Sequence, residues 1–461
     1  MKNIAIIGAG ITGLSSMYYL LTGNQDYRVD IFEKSDRAGG KVKTHIQDGY
    51  TIELGPESYL SRKQIMTDLA EEIGLGHTLV RNETGQSYIY TKNQLFPVPM
   101  GTMLGVPMEF KALLSTELIS WPGKLKASLE YFKDTMPLYK DISVGEFFRH
   151  RFGNEVLENM IEPLLSGVYG TNIDQLSLMS TYPNFKKTEQ YYGSLMKGLP
   201  IERSLKPQAP KKKVGQFYQF SDGLQSFIDR LVEVNIEKGG QINFQADVTD
   251  IEKLDDGYRV TVNGESQVYD EVIVTTPHFQ YKRWFDDKEF EYFKHMEATS
   301  VATVVMAFDQ EQVNNSIDGT GFVVSRNMDT VITACTWTNK KWKHSTPSGK
   351  ALLRAYVGRP GDFIVHEKSD EDIIRLVRKD LDQIMNIEGE PNFSIVTRLP
   401  NSMPNYFVGH KRMIDEIQDY VGETYPGLHL IGASHYAVGL PDCVQTAKDT
   451  ADKILNMSLD F

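Results

Sequence analysis

Cysteine is nearly absent from this chain: Cys335 and Cys443 are the only two in 461 residues. Two distant thiols make neither a disulfide framework nor a CxxC metal pair, and a reducing compartment is the plainer expectation. Positive charge is in deficit as well. Lysine and arginine total 49 against 61 acidic residues, a net charge of −12. That balance argues against a nucleic-acid binder, which needs a basic surface to neutralise phosphates. It does not exclude an anionic small molecule, because a few basic residues suffice to line one pocket. No apolar run approaches the roughly 18 residues of a membrane span, and the N-terminus lacks the pattern of a signal peptide. A cytoplasmic protein is expected. Metal-ligand spacings, a Ser-His-Asp order and paired carboxylates are missing too. No metal is therefore expected.

What is present begins at once. The chain exceeds the usual span of a single core, so two or three domains are expected. "IAII" is a short β-branched run suited to a buried parallel strand. "GAGITG" follows, placing Gly8, Gly10 and Gly13 in G-x-G-x-x-G spacing, with Ala9, Ile11 and Thr12 between them. Gly8 suits the tight turn, Gly10 lets the backbone approach a pyrophosphate, and Gly13 lets the next helix pack on the strand. The helix predicted over 11–22 would turn its free N–H groups and dipole toward that pyrophosphate. "RVDIF" reads as a second strand ending on Glu33, with Lys34 beside it. An acid about 20 residues past the glycines is placed to accept ribose hydroxyls.

A second glycine pair, Gly39 and Gly40, lies between Arg37 and Lys41 in "DRAGGKV". R-x-G-G after the acid of the second strand resembles the flavoproteins related to amine oxidases, which bind FAD. A second close backbone approach suits a cofactor that extends past its pyrophosphate, and Lys41 offsets charge there. The resemblance implies that Gly55, Pro56, Glu57 and Ser58 run near the isoalloxazine and that Val248 packs near the adenine. It also implies that Val438, Gly439 and Leu440 meet the flavin at the start of the last helix. Dipole and amides there can support negative charge on a reduced ring. Further strands are read at 241–244 and 270–277.

The expected fold is α/β (α+β): a Rossmann-like FAD-binding domain, an antiparallel-sheet substrate domain and a helical insertion. The FAD domain is expected from 1–85, 216–280 and 421–461. The substrate domain would take 86–95 and 281–420, and a helical domain covering the active site would take 96–215.

From end to end the chain resembles the protoporphyrinogen and coproporphyrinogen oxidases of haem synthesis. "IEPLLSGVYGTNIDQLSLMSTYPNF", "GTGFVVSRN", "ITACTWTNKKW", "LLRAYVGRPGD" and "SMPNYFVGH" carry that likeness, in the right order. It implies oxygen-dependent, six-electron oxidation of coproporphyrinogen III to coproporphyrin III, by hydride transfer to FAD with release of hydrogen peroxide. It implies FAD held without a covalent link, despite Cys443 in "PDC", and a ferrochelatase as taker of the product. Three alternatives stay open. Protoporphyrinogen IX is one substrate. An amine oxidase is the second, although "AVGLPDC" does not resemble the cysteine-linked segment of those enzymes. The third is a flavin-free carrier on the same fold.

A tetrapyrrole with propionates calls for an apolar pocket edged by cations. Arg62 and Lys63 in "YLSRKQ" are candidates, against a solvated first turn of a helix over 62–73. Tyr356, beside Arg354, alternates along a strand of a sheet expected through 300–310, 320–325, 331–337 and 351–357. A core tyrosine is the competing reading. "SLKPQAPKKKVGQ", residues 204–216, reads as a loop: a solvated linker first, an electrostatic guide for anionic substrate second. Residues 95–132 mix apolar side chains with lysines. A helical wall over a buried pocket is the first reading, and weak contact with a membrane surface the second. His435 is expected to be structural.

Overall fold

The structure is a computed structural model, and it describes residues 2–24, 26–83, 85–137, 140–205, 215–313 and 317–457. Most of the loop expected at 204–216 falls outside the described residues. The chain divides into two compact units. The first takes Met1–Asn82, Gln216–Glu297 and Lys411–Phe461, and the second takes Glu83–Gly215 and Ala298–His410. The helical segment 96–215 and the large sheet thus fall in the same unit.

The first unit is built on a five-stranded, all-parallel sheet. Its order is Gln241–Asn243, Arg28–Phe32, Asn3–Ile7, Glu271–Val274, Leu428–Leu430. Ile4 and Ile6 of the central strand are fully buried, as a strand covered on both faces requires. Helix Ile11–Gly23 packs against both Leu224–Glu237 and Leu440–Met457. They share one apolar core with the sheet. Gly8 turns the chain from strand to helix with φ +105°. Gly13 has no room for a side chain, since a Cβ there would lie 2.0 Å from the Gly8 carbonyl oxygen. The strand expected over 270–277 stops at Val274 because the Thr275 hydroxyl bonds to the Ile7 carbonyl, 2.9 Å, and Pro277 follows.

The second unit carries a seven-stranded sheet in the order Phe393–Pro404, Ala298–Asp309, Lys350–Val357, Ile332–Trp337, Gly321–Val324, Ser87–Thr91, Gln94–Pro97. It is antiparallel except where Gly321–Val324 runs parallel to Ser87–Thr91. Val304, Met306 and Phe308 alternate with residues on the opposite face and join Leu353, Ala355 and Val357 in a core completed by helix Asp370–Met385.

The helical segment of this unit is tied by buried charge. Arg151, on helix Val144–Phe152, bonds Glu130 through Nε at 2.9 Å and approaches Glu189 at 3.4 Å. Lys186 bonds Glu189 at 2.6 Å, and all four side chains are at most 1% exposed.

Residues 95–132 split between the two expected surroundings. Val106, Leu113, Leu118 and Ala127 are buried, but Trp121, Leu125, Leu129 and Phe132 stand in solvent. The first set thus faces protein and the second does not. The exposed set recurs at nearly helical spacing, so one face of helix Trp121–Ser128 and the turn after it is left uncovered. Among the described residues no helix is long and apolar enough to cross a membrane.

Candidate functional site

The first unit brings its two glycine turns together. Gly39 donates its N–H to the Ala9 carbonyl at 2.8 Å, and Gly10 pairs with Gly39 in a parallel bridge. Helix Ile11–Gly23 starts at Gly10 with no side-chain cap and no acid in its first turn. Side chains, water or ligands satisfy such first N–H groups, and no side chain does so here. Space in front of Gly10 is open, with no atom within 4 Å of where a Cβ would stand. An uncapped helix start facing open space fits a diphosphate in donor geometry and in charge. Glu33, half-buried, accepts from Ala9 N–H at 2.9 Å and from Ser35 through N–H, 2.9 Å, and hydroxyl, 2.7 Å. Lys34 is exposed.

Arg37 is the organiser of the second turn, and composition alone gave no reason to rank it. Its guanidinium donates to the carbonyls of Ala38 and Val42, both 2.9 Å, and of Gly40, 2.6 Å. Those oxygens are gathered onto one cation. Lys41 is exposed, yet protein atoms lie densely around it. That desolvation lowers its ammonium's pKa, with the Cys443 sulfur acting the other way.

The other expected cofactor residues occupy the same unit. Gly55 is buried so closely on the Lys41 backbone that a Cβ would clash with its carbonyl. Pro56 and Ser58 are half-buried, and buried Glu57 has its carbonyl held by Gln219 at 2.9 Å. Glu53, just before that turn, accepts the Leu224 N–H at 2.7 Å and so caps helix Leu224–Glu237. Val248 is buried at the start of an antiparallel hairpin. Val438, Gly439 and Leu440 are half-buried at the start of helix Leu440–Met457. The Cys443 thiol lies inside that helix start, donating to the Ala437 carbonyl at 3.2 Å, and burial raises its pKa.

Of the basic candidates, Arg62 is exposed and precedes helix Gln64–Glu72, which starts two residues later than expected. Lys63 is not a free cation, because it forms an ion pair with Asp442 in the first turn of the last helix. In the second unit, Tyr356 is half-buried, opposite Thr303 and Ala334. Its hydroxyl accepts from Arg354 at 3.0 Å, and that guanidinium also lies 5.0 Å from the ring centre. Among the described residues no cluster of His, Cys, Asp or Glu could hold a metal ion.

The family model of the flavin-containing amine oxidoreductases matches residues 11–455. A coproporphyrinogen III oxidase of Staphylococcus aureus is 52% identical, covering 98% of this chain and 99% of that protein. One from Bacillus subtilis is 43% identical, covering 97% and 96%. A crystal structure from Exiguobacterium sp. 255-15, provisionally named a protoporphyrinogen oxidase, superposes with a TM-score of 0.89 at 39% identity, covering 99% of each chain. With a family model spanning nearly its whole length and these relatives beside it, the chain belongs to the flavin-containing amine oxidoreductases, in the group of the bacterial coproporphyrinogen III oxidases, and is a flavin-dependent oxidoreductase.

Proposed function

We propose that this chain oxidises coproporphyrinogen III to coproporphyrin III in haem synthesis, using FAD and dioxygen. The full-length identity to two enzymes of that name carries the substrate, and the uncapped helix start at Gly10 carries the cofactor. Bound flavin supplies the two-electron acceptor and its reoxidation by dioxygen, with hydrogen peroxide released at each of three rounds.

The protein's part is to hold and orient. The N–H groups of Gly10, Ile11, Thr12 and Gly13 face the pyrophosphate, backed by the Gly39–Gly40 turn. Glu33 has accepted three bonds of the roughly four a carboxylate can take, leaving capacity for a ribose hydroxyl. Lys34 and Lys41 add positive charge, Val248 borders the adenine, and Gly55–Ser58 with Val438–Leu440 border the flavin ring. FAD is held non-covalently: the thiol at Cys443 is buried, hydrogen-bonded and kept protonated, the reverse of an activated nucleophile. Arg62, Lys63 and Tyr356 are the proposed substrate contacts, with Lys63 exchanging its hold on Asp442. The protein is placed in the cytoplasm, where two buried, unlinked cysteines persist as thiols. The exposed stripe from Trp121 to Phe132 supports a weak contact of 95–132 with a membrane surface. Transfer of product to a ferrochelatase rests on the family resemblance alone.

The deciding experiment is a side-by-side oxygen assay of coproporphyrinogen III and protoporphyrinogen IX. Porphyrin fluorescence and peroxide are followed on protein of known flavin content, and the flavin is checked for release on acid precipitation. Preference for coproporphyrinogen is expected. Preference for protoporphyrinogen would move the substrate, and inactivity of yellow protein on both would overturn the reading.

A further inference from the structure

Two buried histidines bear on the segment that leads into helix Leu440–Met457. His278, 3% exposed, lies just beyond strand Glu271–Val274. Its Nε2 is 2.8 Å from the Met296 carbonyl, and its Nδ1 is 3.0 Å from the Ser434 hydroxyl. A carbonyl only accepts, so Nε2 carries the proton and Nδ1 accepts from Ser434. The same hydroxyl oxygen accepts the His278 backbone N–H at 3.1 Å.

The next residue meets the same turn, His278–Arg283, and one further helix, His410–Thr424. His435, 1% exposed, has Nδ1 3.2 Å from the Gln418 amide nitrogen and Nε2 2.9 Å from the Tyr281 hydroxyl. An amide nitrogen only donates, and this one also donates to the Leu430 carbonyl at 2.8 Å. Swapping the amide would set oxygen against oxygen. His435 therefore accepts at Nδ1 and donates from Nε2, which again makes it neutral. A second proton on His435 would face Nδ1–H against N–H of Gln418. Phe293 fills the space by both rings, with centroids 5.3 Å from His435 and 6.4 Å from His278. The backbone between is pinched as well: the His435 N–H closes onto the Gly432 carbonyl at 3.0 Å.

Nothing in this arrangement has a nucleophilic or acid–base task, and a buried polar network without one is costly unless it sets geometry. What it sets is the path of residues 436–440. We infer that Ser434 and His435 are positioning residues, tying this segment to the turn His278–Arg283 and to helix His410–Thr424 so that Val438–Leu440 are held for the flavin. The inference rests on the flavin reading of those three residues and on nothing about the porphyrinogen.

The test compares Ser434→Ala, Ser434→Thr, His435→Phe and His435→Gln with wild-type holoenzyme. Threonine keeps the hydroxyl, and glutamine can still accept from Gln418 and donate to Tyr281. The readouts are FAD affinity after reversible flavin removal, the flavin midpoint potential, and the circular dichroism of the flavin band. Ser434→Ala and His435→Phe are expected to weaken FAD binding about tenfold or more with far-ultraviolet dichroism unchanged. Their potentials should move to more negative values, because a displaced helix start no longer favours the reduced ring. Ser434→Thr and His435→Gln should restore all three. Wild-type affinity and potential in the alanine and phenylalanine variants would overturn the inference, as would losses that the conservative variants fail to rescue. If His435→Phe does not fold, the serine pair decides alone. Wild-type protein that binds no FAD would instead overturn the flavin reading itself.

Discussion

The Gly39 N–H donates to the Ala9 carbonyl at 2.8 Å, which makes one backbone cradle out of two turns from separate parts of the sequence. Arg37 gathers the carbonyls of the second turn on its guanidinium. The effect is that N–H groups, not C=O groups, are left to face a ligand. The proposed diphosphate site is therefore assembled almost wholly from main chain, and its tolerance to side chains differs sharply from one glycine to the next.

Gly10→Ala and Gly13→Ala should separate binding from folding. At Gly10 a methyl meets nothing within 4 Å, so stability should stay within about 0.5 kcal/mol. FAD affinity should fall at least tenfold, because the methyl stands where the diphosphate is proposed. At Gly13 the methyl would lie 2.0 Å from the Gly8 carbonyl oxygen, and overpacking of this kind costs about 3 kcal/mol or more. Flavin titration and chemical denaturation of both variants check the pair. Equal stability of the two would sink the argument.

Arg151→Met should be among the most damaging single changes in the second unit. It leaves the Glu130 carboxylate, fully buried, with its cation gone. Breaking a buried pair from one side costs about 3–5 kcal/mol. Denaturant unfolding reads it directly. A double change to Arg151→Met with Glu130→Leu should recover much of the loss, since no lone charge then remains.

Glu162 gives stability a pH dependence of unusual sign. Burial pushes its carboxyl from 4.5 up to about 7, only partly opposed by Arg326 at 3.0 Å. Between those two values the folded state holds a proton that the unfolded chain releases. Stability therefore falls as pH rises through that window. Glu162→Gln should remove the slope and be more stable than wild type by about 1–2 kcal/mol at pH 8, the difference vanishing below pH 4.5. Parallel pH–stability curves would show that Glu162 is ionised throughout.

Arg62→Ala should raise KM for coproporphyrinogen III by roughly tenfold with kcat little changed, the pattern of a contact equally strong in ground and transition states. Steady-state kinetics at two ionic strengths checks this, the defect shrinking as salt screens the wild-type contact. An unchanged KM would return Arg62 to the solvated surface.

Residues acting on near neighbours were legible in the sequence. "IAII", the G-x-G-x-x-G turn, Glu33 and the RAGG pair could be read because strand period, turn geometry and helix start are local properties. The large sheet was legible for the same reason: strands expected at 300–310 and 351–357 appear as Ala298–Asp309 and Lys350–Val357. One strand end was not, since Thr275 stops it by bonding to Ile7 in the neighbouring strand.

Pairings between distant segments belong to tertiary structure alone. Lys63 looked like an available cation and pairs with Asp442, at the other end of the chain. Arg151 and Lys186 are fully buried with Glu130 and Glu189, which nothing in their own stretches of sequence marks. His435 was expected to be structural, but its partners Tyr281 and Gln418 lie on other elements. A charge or a ring nitrogen carries no mark of its partner, because burial and complementarity are properties of the folded contact. The sequence alone therefore determined the cofactor cradle and the family resemblance, through patterns each segment carries by itself. Which cations are paired, which carboxylates are harder to ionise and which histidines bond at both ring nitrogens was decided only when the fold brought remote side chains within hydrogen-bonding distance and shut water out.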